Sequence, residues 1–326
     1  MTMRRRCCRV LLAAYFIVSA ASAFALEAVN VGNVSRTLFS VPLWIAQEKG
    51  FMRDEGIEAT SRILDNAEML KTQLRSGQVQ FVMGTPEVVM MDGYKGGTLR
   101  IIAGNTSKLP HFIITRPEIK TLGQLRGANI GILSEKEGTT YIVRDIAKAI
   151  GLSSSDYKMT AVGGAPTRWR LLKEGKIDAG LQPFPLSYEA VAAGFNNLGS
   201  ADSYVPDWQF TSVNVDDTWA RAHRNVVVRF LRALKRGRDF METDADETAR
   251  IAAKELQTTP QLAGMALAEA KGMKILDPNL DVTQPGLKKV FETLQLTGDI
   301  PPDQTFDLSK FTDLTYLQES REMSRK

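Results

Sequence analysis

Short apolar runs alternate with amphipathic stretches along the chain, beginning with a predicted strand at 28–32 and a predicted helix at 42–49. A proline opens this helix and Gly50 follows its last turn, as is typical of helix ends. A short buried strand at 81–83 and a further strand at 99–103 continue the series. This alternation of strands and helices predicts a mostly parallel sheet with helices on both faces.

A second unit of the same kind follows the first. Its strand at 129–133 leads into an amphipathic helix that ends at Gly151. The order of glycine, polar residue, short strand and loop at 77–83 recurs at 175–181. The chain is therefore predicted to form two lobes of similar plan, followed by a mostly helical remainder that includes an amphipathic helix at 225–241.

The N-terminus combines four arginines with a charge-free run at 11–24 that ends in small residues. This run is shorter than the roughly 20 apolar residues that a membrane-spanning helix needs. It matches the apolar core of a signal peptide, so residues 1–25 are predicted to be removed near Ala25. The mature chain is then expected in the periplasm.

Net charge and cysteine content exclude some functional classes of protein. The formal net charge of the chain is +4, and the four leader arginines account for it, which removes the electrostatic basis for nucleic-acid binding. Cys7 and Cys8 both precede the apolar run, so the mature chain is predicted to have neither disulfide nor thiol chemistry. The remaining residues, about 300, predict two lobes at about 150 residues per domain.

Several stretches carry a family resemblance through their order along the mature chain. They are 42–57, 77–84, 122–140, 206–215 and 226–234. Together they resemble the NMT1/THI5-like periplasmic solute-binding proteins of ABC importers, a group that includes nitrate, sulfonate, taurine and pyrimidine binders. The resemblance covers nearly all of the mature chain.

The resemblance implies an α/β periplasmic-binding-protein fold of type 2. Each of its two lobes is a mostly parallel sheet flanked by helices, and two hinge crossings, expected near 108–112 and 209–214, join them. Lobe I is expected at 26–110 and 213–326, and lobe II at 111–212. The solute is expected between the lobes.

In open α/β sheets, ligands bind beyond the carboxyl ends of strands, where loops lead into helices. The first such loop offers hydroxyl groups, a guanidinium and an aromatic ring at Ser35, Arg36, Thr37, Phe39 and Ser40. A guanidinium can hold a carboxylate or sulfonate through two parallel hydrogen bonds. The alternative is that Arg36 is a solvated loop charge.

The loop before the helix of lobe II contributes Ser134, Gly138, Thr139 and Thr140. Free backbone N–H groups and the positive end of the helix favour an anion there. The alternative is that Thr139 caps its own helix. Both interpretations are compatible, because a backbone N–H can bind a ligand while a hydroxyl caps.

Further candidates lie at other strand ends. Gly84 and Thr85 repeat the same arrangement in lobe I, and Gln182 and Phe184 lie in the corresponding loop of lobe II. Phe184 either covers an apolar part of the solute or packs on its own lobe. The last two candidates, Asn105 and Phe210, depend mainly on the resemblance.

Catalytic signals are weak. His111 and His223 show no metal-ligand spacing, and the chain has no nucleophile elbow, Walker loop or dinucleotide fingerprint. The pyrimidine-synthesising branch of the family is marked by a cysteine cluster, from which the mature chain departs. We therefore predict no catalytic residue, metal or cofactor. The arginines at 229–236 suggest either a permease-docking surface or a solvated helix face.

The sequence thus predicts a monomeric solute-binding component of an ABC transporter. It would capture a small organic solute, an anion such as a sulfonate or carboxylate on the basis of Arg36 and the helix ends, and deliver it to an inner-membrane permease. Phe39, Phe184, Trp44 and Trp169 leave an aromatic or heterocyclic solute open. The alternatives are an enzyme or a ligand sensor on the same fold.

Overall fold

The computed structural model describes residues 26–64 and 67–323. The predicted signal peptide, with both cysteines, lies outside these residues. The strands are β1 (Glu27–Asn33), β2 (Ile57–Ile63), β3 (Phe81–Gly84), β4 (Leu99–Thr106), β5 (His111–Thr115), β6 (Asn129–Ile132), β7 (Lys158–Ala161), β8 (Ala179–Pro183), β9 (Asn196–Ser200) and β10 (Thr211–Asp216).

Helices flank these strands and make up most of the C-terminal part. They are α1 (Val41–Glu48), α2 (Phe51–Asp54), α3 (Ala67–Arg75), α4 (Glu87–Tyr94), α5 (Gly138–Ala149), α6 (Ala165–Lys173), α7 (Leu186–Ala192), α8 (Asp217–Ala222), α9 (Arg224–Thr243), α10 (Ala245–Leu256), α11 (Pro260–Gly272), α12 (Gln284–Leu296) and α13 (Thr315–Met323). Within the described ranges, none of the helices is both long enough and apolar enough to span a bilayer.

The strands form two five-stranded sheets of matching plan. The sheet of lobe I has the order β2-β1-β3-β10-β4, and the sheet of lobe II has the order β7-β6-β8-β5-β9. Strand β1 runs parallel to β2 and β3, and β6 runs parallel to β7 and β8. In each sheet the strand that directly follows a crossing, β10 in lobe I and β5 in lobe II, runs antiparallel to both of its neighbours. The predicted two-lobed, mostly parallel α/β fold is confirmed.

Two crossings connect the sheets, between β4 and β5 and between β9 and β10. The second crossing ends where β10 begins, at Thr211. Thr211 and Ser212 pair with Thr106 and Gly104 of β4. The structure therefore places these two residues in the sheet of lobe I, although the sequence analysis assigned them to lobe II.

The long helix α9 anchors the C-terminal part on lobe I. Its apolar residues recur every three or four positions, so one face of the helix is buried. Phe230 on this face stacks on Phe81 of β3, with ring centroids 3.8 Å apart. Both rings are fully buried, and they fix α9 beneath the sheet.

The basic residues of α9 are paired with acidic residues of the same lobe. Arg232 lies 2.8 Å from the Glu55 carboxylate, and Arg236 lies 2.7 Å from that of Asp54. Arg229 donates to the carbonyl oxygen of Glu55. Through these three arginine side chains, α9 is held against the end of α2 and the turn that follows it.

Candidate functional site

Loops from both lobes meet in a shared pocket. The volume of the cavity is about 20 Å³. This is room for about one water molecule, so an organic solute requires the lobes to move apart. The pocket is lined by Val34, Ser35, Thr37, Phe39, Thr85 and Phe210 on one side and by His111, Leu133, Glu137, Thr139, Gly164, Ala165 and Arg168 on the other.

The first loop of lobe I reaches the N-terminus of α6 in lobe II. Ser35 Oγ accepts the backbone N–H of Ala165 at 3.3 Å. The two backbone segments approach so closely that a Cβ built on Gly164 would lie 2.7 Å from Ser35 Oγ. Ser35 is therefore a contact between the lobes as well as a pocket residue.

Three aromatic side chains form one wall of the pocket. The rings of Phe39 and Phe210 meet edge to face with centroids 5.1 Å apart, and His111 lies 4.7 Å from Phe210. Burial, helped by the charge of Arg168, holds the pKa of His111 well below its ordinary value. The imidazole is therefore neutral, and this wall is uncharged, with its rings tilted against one another.

The N-terminus of α5 is capped by the protein's own carboxylate. Glu137 accepts the backbone N–H groups of Thr139 at 3.0 Å and Thr140 at 3.2 Å, and it also accepts the hydroxyl of Thr139. Burial raises the pKa of Glu137, although these hydrogen bonds oppose the shift. Glu137 thus occupies the predicted anion position, and the hydroxyl of Thr139 bonds Glu137 instead of capping the helix.

Arg168 of α6 supplies the buried positive charge of the pocket. Its guanidinium donates to the carbonyl oxygen of Leu181 at 2.9 and 3.3 Å and to that of Gly163 at 3.2 Å. Burial lowers the pKa of Arg168 to about 10, and the nearby Glu137 opposes that shift. Each nitrogen of the guanidinium is therefore bonded within lobe II, which fixes its orientation.

Glu87, the first residue of α4, brings a second carboxyl group to the boundary between the lobes. Its side chain is fully buried, and interactions with the Thr85 hydroxyl, its own backbone N–H and Trp208 stabilise the charged carboxylate, though less than burial destabilises it. Oε1 lies 3.2 Å from the point where a Cβ would be built on Gly138 of lobe II. Burial raises the pKa of Glu87 to about 8, and the neighbouring Thr85 lowers it by less.

Arg36 is not brought to this pocket. Its Nη1 atom donates to the carbonyl oxygen of Glu255 at 3.0 Å and lies 4.0 Å from the Glu255 carboxylate. The side chain is 40% exposed. Arg36 lines a second pocket between the lobes, of about 150 Å³, with Phe184 and Glu189 of lobe II. Arg36 is thus a partly exposed charge that is paired within lobe I and lies outside the pocket around Ser35.

Two predicted residues of lobe I support the pocket from behind. Ser40 Oγ donates to Asn33 Oδ1 at 3.0 Å. Asn105 Nδ2 donates to the carbonyl oxygen of Phe39 and to Thr211 Oγ1, both at 3.0 Å. Gly84 ends β3. These contacts hold the Phe39 loop in place rather than lining the cavity.

The remaining predicted residues of lobe II lie around the pocket. Thr140 Oγ1 donates to the carbonyl oxygen of Ser134 at 2.5 Å. Gly138, at the start of α5, faces Glu87 and Phe210 across the boundary. Phe184 packs on its own lobe, with ring centroids 4.9 Å from Phe112 and 5.3 Å from Tyr188, and it also belongs to a buried cluster with residues of α1, α10 and α11 of lobe I.

The amide of Gln182 is also fully buried in lobe II. In its satisfied orientation the amide donates to the carbonyl oxygen of Ala165 at 3.2 Å and accepts the N–H of Trp169 at 3.1 Å. Gln182 thus fixes the start of α6 behind the pocket.

The sequence analysis missed the buried charged residues Glu87, Glu137 and Arg168. Each lies beside a predicted loop: Glu87 follows Thr85 by two positions, and Glu137 directly precedes Gly138. Arg168 follows a Gly-Gly-Ala-Pro loop at the end of β7, which has the same form as the loops that were recognised. A charged residue in the first turn after such a loop was the available signal.

Ion pairs join the lobes at the edge of the cleft near α5. Asp299, which follows α12, lies 2.7 Å from Lys136 Nζ and accepts the hydroxyl of Tyr141 at 2.9 Å. Lys289 of α12 lies 3.1 Å from Asp145 of α5. Burial raises the pKa of Asp299, but the hydrogen bonds from Lys136 and other neighbours hold it below its ordinary value. These contacts exist where the lobes touch.

The opposite edge of the cleft is closed by α7 against α10 and α11. The hydroxyl of Tyr188 donates to Glu269, and Thr258 Oγ1 donates to Glu189 at 3.4 Å. Both edges of the cleft are thus held by side chains from different lobes.

A larger cavity of about 990 Å³ lies between α9, α10 and α11. Its lining comes from residues 238–278, far along the chain from the strand-end loops. Among the described residues, there is no cluster of three or more His, Cys, Asp or Glu side chains that could hold a metal ion. The pocket between the lobes is therefore the candidate functional site.

Two α/β lobes that close on a shared pocket define the periplasmic solute-binding fold of ABC import systems. The sequence profile of the family described as NMT1/THI5 like matches residues 39–248, and the chain belongs to this family. A Brucella abortus protein described as a binding protein is 22% identical over 279 residues, which cover 82% of this chain and 86% of that protein.

Solved structures show the same fold. The ligand-binding component of an ABC-type import system from Staphylococcus aureus superposes with a TM-score of 0.74 at 13% identity, covering 90% of this chain and 99% of that one. The alkanesulfonate-binding protein SsuA from Xanthomonas axonopodis pv. citri, bound to MOPS, gives a TM-score of 0.68 at 15% identity, covering 90% and 97%.

Proposed function

We propose that this protein is the periplasmic solute-binding component of an ABC transporter and captures one small organic solute by closure of its lobes. The observation that carries the proposal is the pocket to which both lobes contribute, with Ser35 of one lobe bonded to Ala165 of the other. A ligand can favour closure only if it binds the closed form better than the open form. A pocket divided between the lobes meets that condition.

The edges of the cleft supply the second part of the closing mechanism. The contacts of Asp299 with Lys136 and Tyr141 form only when the lobes meet. They stabilise the closed form without touching the solute, and water replaces them on opening. The solute and the edge contacts then both stabilise the closed form. The closed form is the one presented to an inner-membrane permease.

We further propose that the protein is exported as a monomer and binds its solute without chemical change. Glu137 and Arg168 are both occupied by hydrogen bonds within lobe II, which suits a fixed binding wall better than proton transfer. The alternatives are an enzyme or a ligand sensor that uses the same fold.

The anionic solute predicted from the sequence lacks support from these contacts. That prediction depended on Arg36, which bonds Glu255, and on the N-terminus of α5, which Glu137 caps.

The test is a thermal-shift screen of the mature chain against sulfonates, carboxylates, nitrate, amidines and aminopyrimidines. Ligands that bind the folded state raise the melting temperature. We expect one class to bind reversibly at one solute per chain, to be recovered unchanged and to decrease the radius of gyration. Recovery of a chemically altered compound would instead establish an enzyme, and uptake that does not require a permease would contradict the transport role.

A further inference from the structure

We propose that closing of the lobes takes up a proton, because closure buries the carboxyl group of Glu87 beneath the segment of lobe II that carries Glu137. The closed form is then favoured at low pH and loses stability as the pH rises. The pH around the protein thereby regulates capture of the solute. This inference deepens the proposed function and rests on it, since the proposed function names closure and the inference names a condition that controls closure.

Glu87 lies at the boundary between the lobes. It begins α4 of lobe I, and its side chain is fully buried. Its Oε1 atom lies 3.2 Å from the Cβ position of Gly138, at the start of α5 in lobe II. The absent side chain of Gly138 allows this close approach. Lobe II thus covers Glu87 in the closed form, and opening of the lobes admits water to the carboxyl group.

A second buried carboxyl group accompanies Gly138 to this boundary. Glu137 directly precedes Gly138, and its carboxylate accepts the backbone N–H groups of Thr139 and Thr140. The buried Arg168 and the positive end of α5 favour a charged Glu137. Glu137 in turn opposes a charge on Glu87. These two acids and one guanidinium leave one acid in excess, and that acid keeps its proton where water is excluded.

Hydrogen-bonding groups of lobe I make a charged Glu87 less costly without making it favourable. The Thr85 hydroxyl, the backbone N–H of Glu87 and Trp208 each lower the pKa of Glu87. Burial raises that pKa by more, to about 8. The carboxyl group is therefore protonated in the closed form at neutral pH. Water solvates the ionised group when the lobes open, which returns its pKa towards the ordinary value.

Other acids around α4 and α5 are paired with basic residues of their own. Asp299, which accepts the hydroxyl of Tyr141, lies 2.7 Å from Lys136 Nζ. The elements packed on α4 carry the pairs Arg75 with Asp92, Lys71 with Glu68, Lys289 with Asp145 and Lys288 with Glu292. The basic residues Arg144, Lys310 and Arg100 contact the Tyr141 ring, the Tyr94 ring and the Gly97 carbonyl group. The acid in excess at the boundary is therefore Glu87.

Proton linkage gives the sign and the size of the effect. A group whose pKa is higher in the closed form than in the open form binds a proton on closure. The stability that this proton adds to the closed form is complete below about pH 4.5 and is lost as the pH rises through about 8. Between these values, one proton lowers the closing constant by up to about tenfold per pH unit.

The experiment follows lobe separation in the solute-free mature chain between about pH 6 and pH 8. Small-angle scattering, together with fluorescence transfer between dyes on the two lobes, gives the fraction of the closed form. We expect the closing constant to fall at least about tenfold over this range and the radius of gyration to rise.

Two variants assign the proton to Glu87. Glu87→Gln replaces the protonated carboxyl group with an uncharged amide of similar shape, so its closing constant should change less than about threefold over the same range. Glu118→Gln, at an exposed position of lobe II, is the matched control and should keep the pH dependence of the native chain. Far-UV circular dichroism checks that each variant is folded.

A second measurement reads the proton in the native chain, and it applies even if Glu87→Gln fails to fold. NMR of the chain labelled at its glutamate carboxyl carbons gives the titration of each carboxyl group. We expect a glutamate that titrates near pH 8, in step with the separation of the lobes. Titration of every glutamate near its ordinary value of about 4.5 would contradict the inference.

A closing constant that stays the same between about pH 6 and pH 8, or that falls equally in the native chain and in Glu87→Gln, would also overturn the inference. Closure on a sulfonate or an amidine of the thermal-shift screen, equally at both pH values, would leave the proposed function intact and remove only the proton. Lobes that stay apart when such a compound binds would remove the proposed function instead, so the two failures are distinguishable.

Discussion

Ser35 Oγ in lobe I accepts the backbone N–H of Ala165 in lobe II at 3.3 Å. This hydrogen bond joins the first strand-end loop of one lobe to the first turn of a helix in the other. It exists because Gly164, just before Ala165, has no side chain to keep the loops apart. Adding even one methyl group at Gly164 is therefore expected to affect closure of the cleft.

Gly164→Ala is expected to disfavour the closed form. The new Cβ would lie 2.7 Å from Ser35 Oγ, which can rotate, and 3.2 Å from Ser35 Cβ, which cannot. An overpacking cost of about 1 kcal/mol shifts the closing equilibrium by about fivefold. Small-angle scattering should therefore give a larger radius of gyration. Gly123→Ala, which has open space around its Cβ position, is the control and should leave the scattering unchanged.

Asp299→Asn is expected to loosen the edge of the cleft. The change removes the ion pair with Lys136 and weakens the hydrogen bond with Tyr141, at a cost to the closed form of about 1 kcal/mol, since Lys136 is largely exposed. A double-mutant cycle with Lys136→Met, read by scattering or by fluorescence between the lobes, measures the coupling. The exposed Asp303→Asn serves as the control, and strict additivity of Asp299→Asn and Lys136→Met would refute the interaction.

Arg36→Ala is expected to change solute affinity by less than about 1 kcal/mol. The side chain is partly exposed and bonded to Glu255, outside the pocket around Ser35 and Ala165. Calorimetry with benzamidine and benzenesulfonate checks this expectation. A loss of about 2–5 kcal/mol for the sulfonate would return Arg36 to the site as an anion-binding group.

Glu87→Gln is expected to flatten the dependence of stability on pH. Burial raises the pKa of Glu87 from 4.5 to about 8, so the folded state favours the protonated carboxyl group. The stability that this protonation contributes is complete below about pH 4.5 and is lost as the pH rises through about 8. The nearby Glu137 has a raised pKa as well and gives a residual slope in the same direction.

The measurement is thermal unfolding of the native chain and of Glu87→Gln at several values between about pH 5 and pH 9. The melting temperature of the variant relative to the native chain should rise with pH. A difference that is constant over this range would show that the Glu87 carboxyl group is ionised in the folded state at neutral pH.

Much of the candidate site followed from local sequence signals. Strand-end loops with small and hydroxyl-bearing residues pointed to Ser35, Thr37, Thr85 and Thr139, and all of these line the shared pocket. The signals did not distinguish a side chain that faces the pocket from one that turns to its own lobe. Arg36 is such a case, because its partner Glu255 lies far along the chain.

The sequence by itself determined the two α/β lobes, because strand and helix periodicity and the residues at helix ends are local properties of the chain. Only the tertiary structure decided which charges the pocket contains. Burial and pairing depend on residues distant in sequence: Glu87 meets the Gly138 segment, and Arg168 reaches the carbonyl group of Leu181. The first contact forms when the two lobes close on each other and the second when lobe II folds, and no local pattern records either of them.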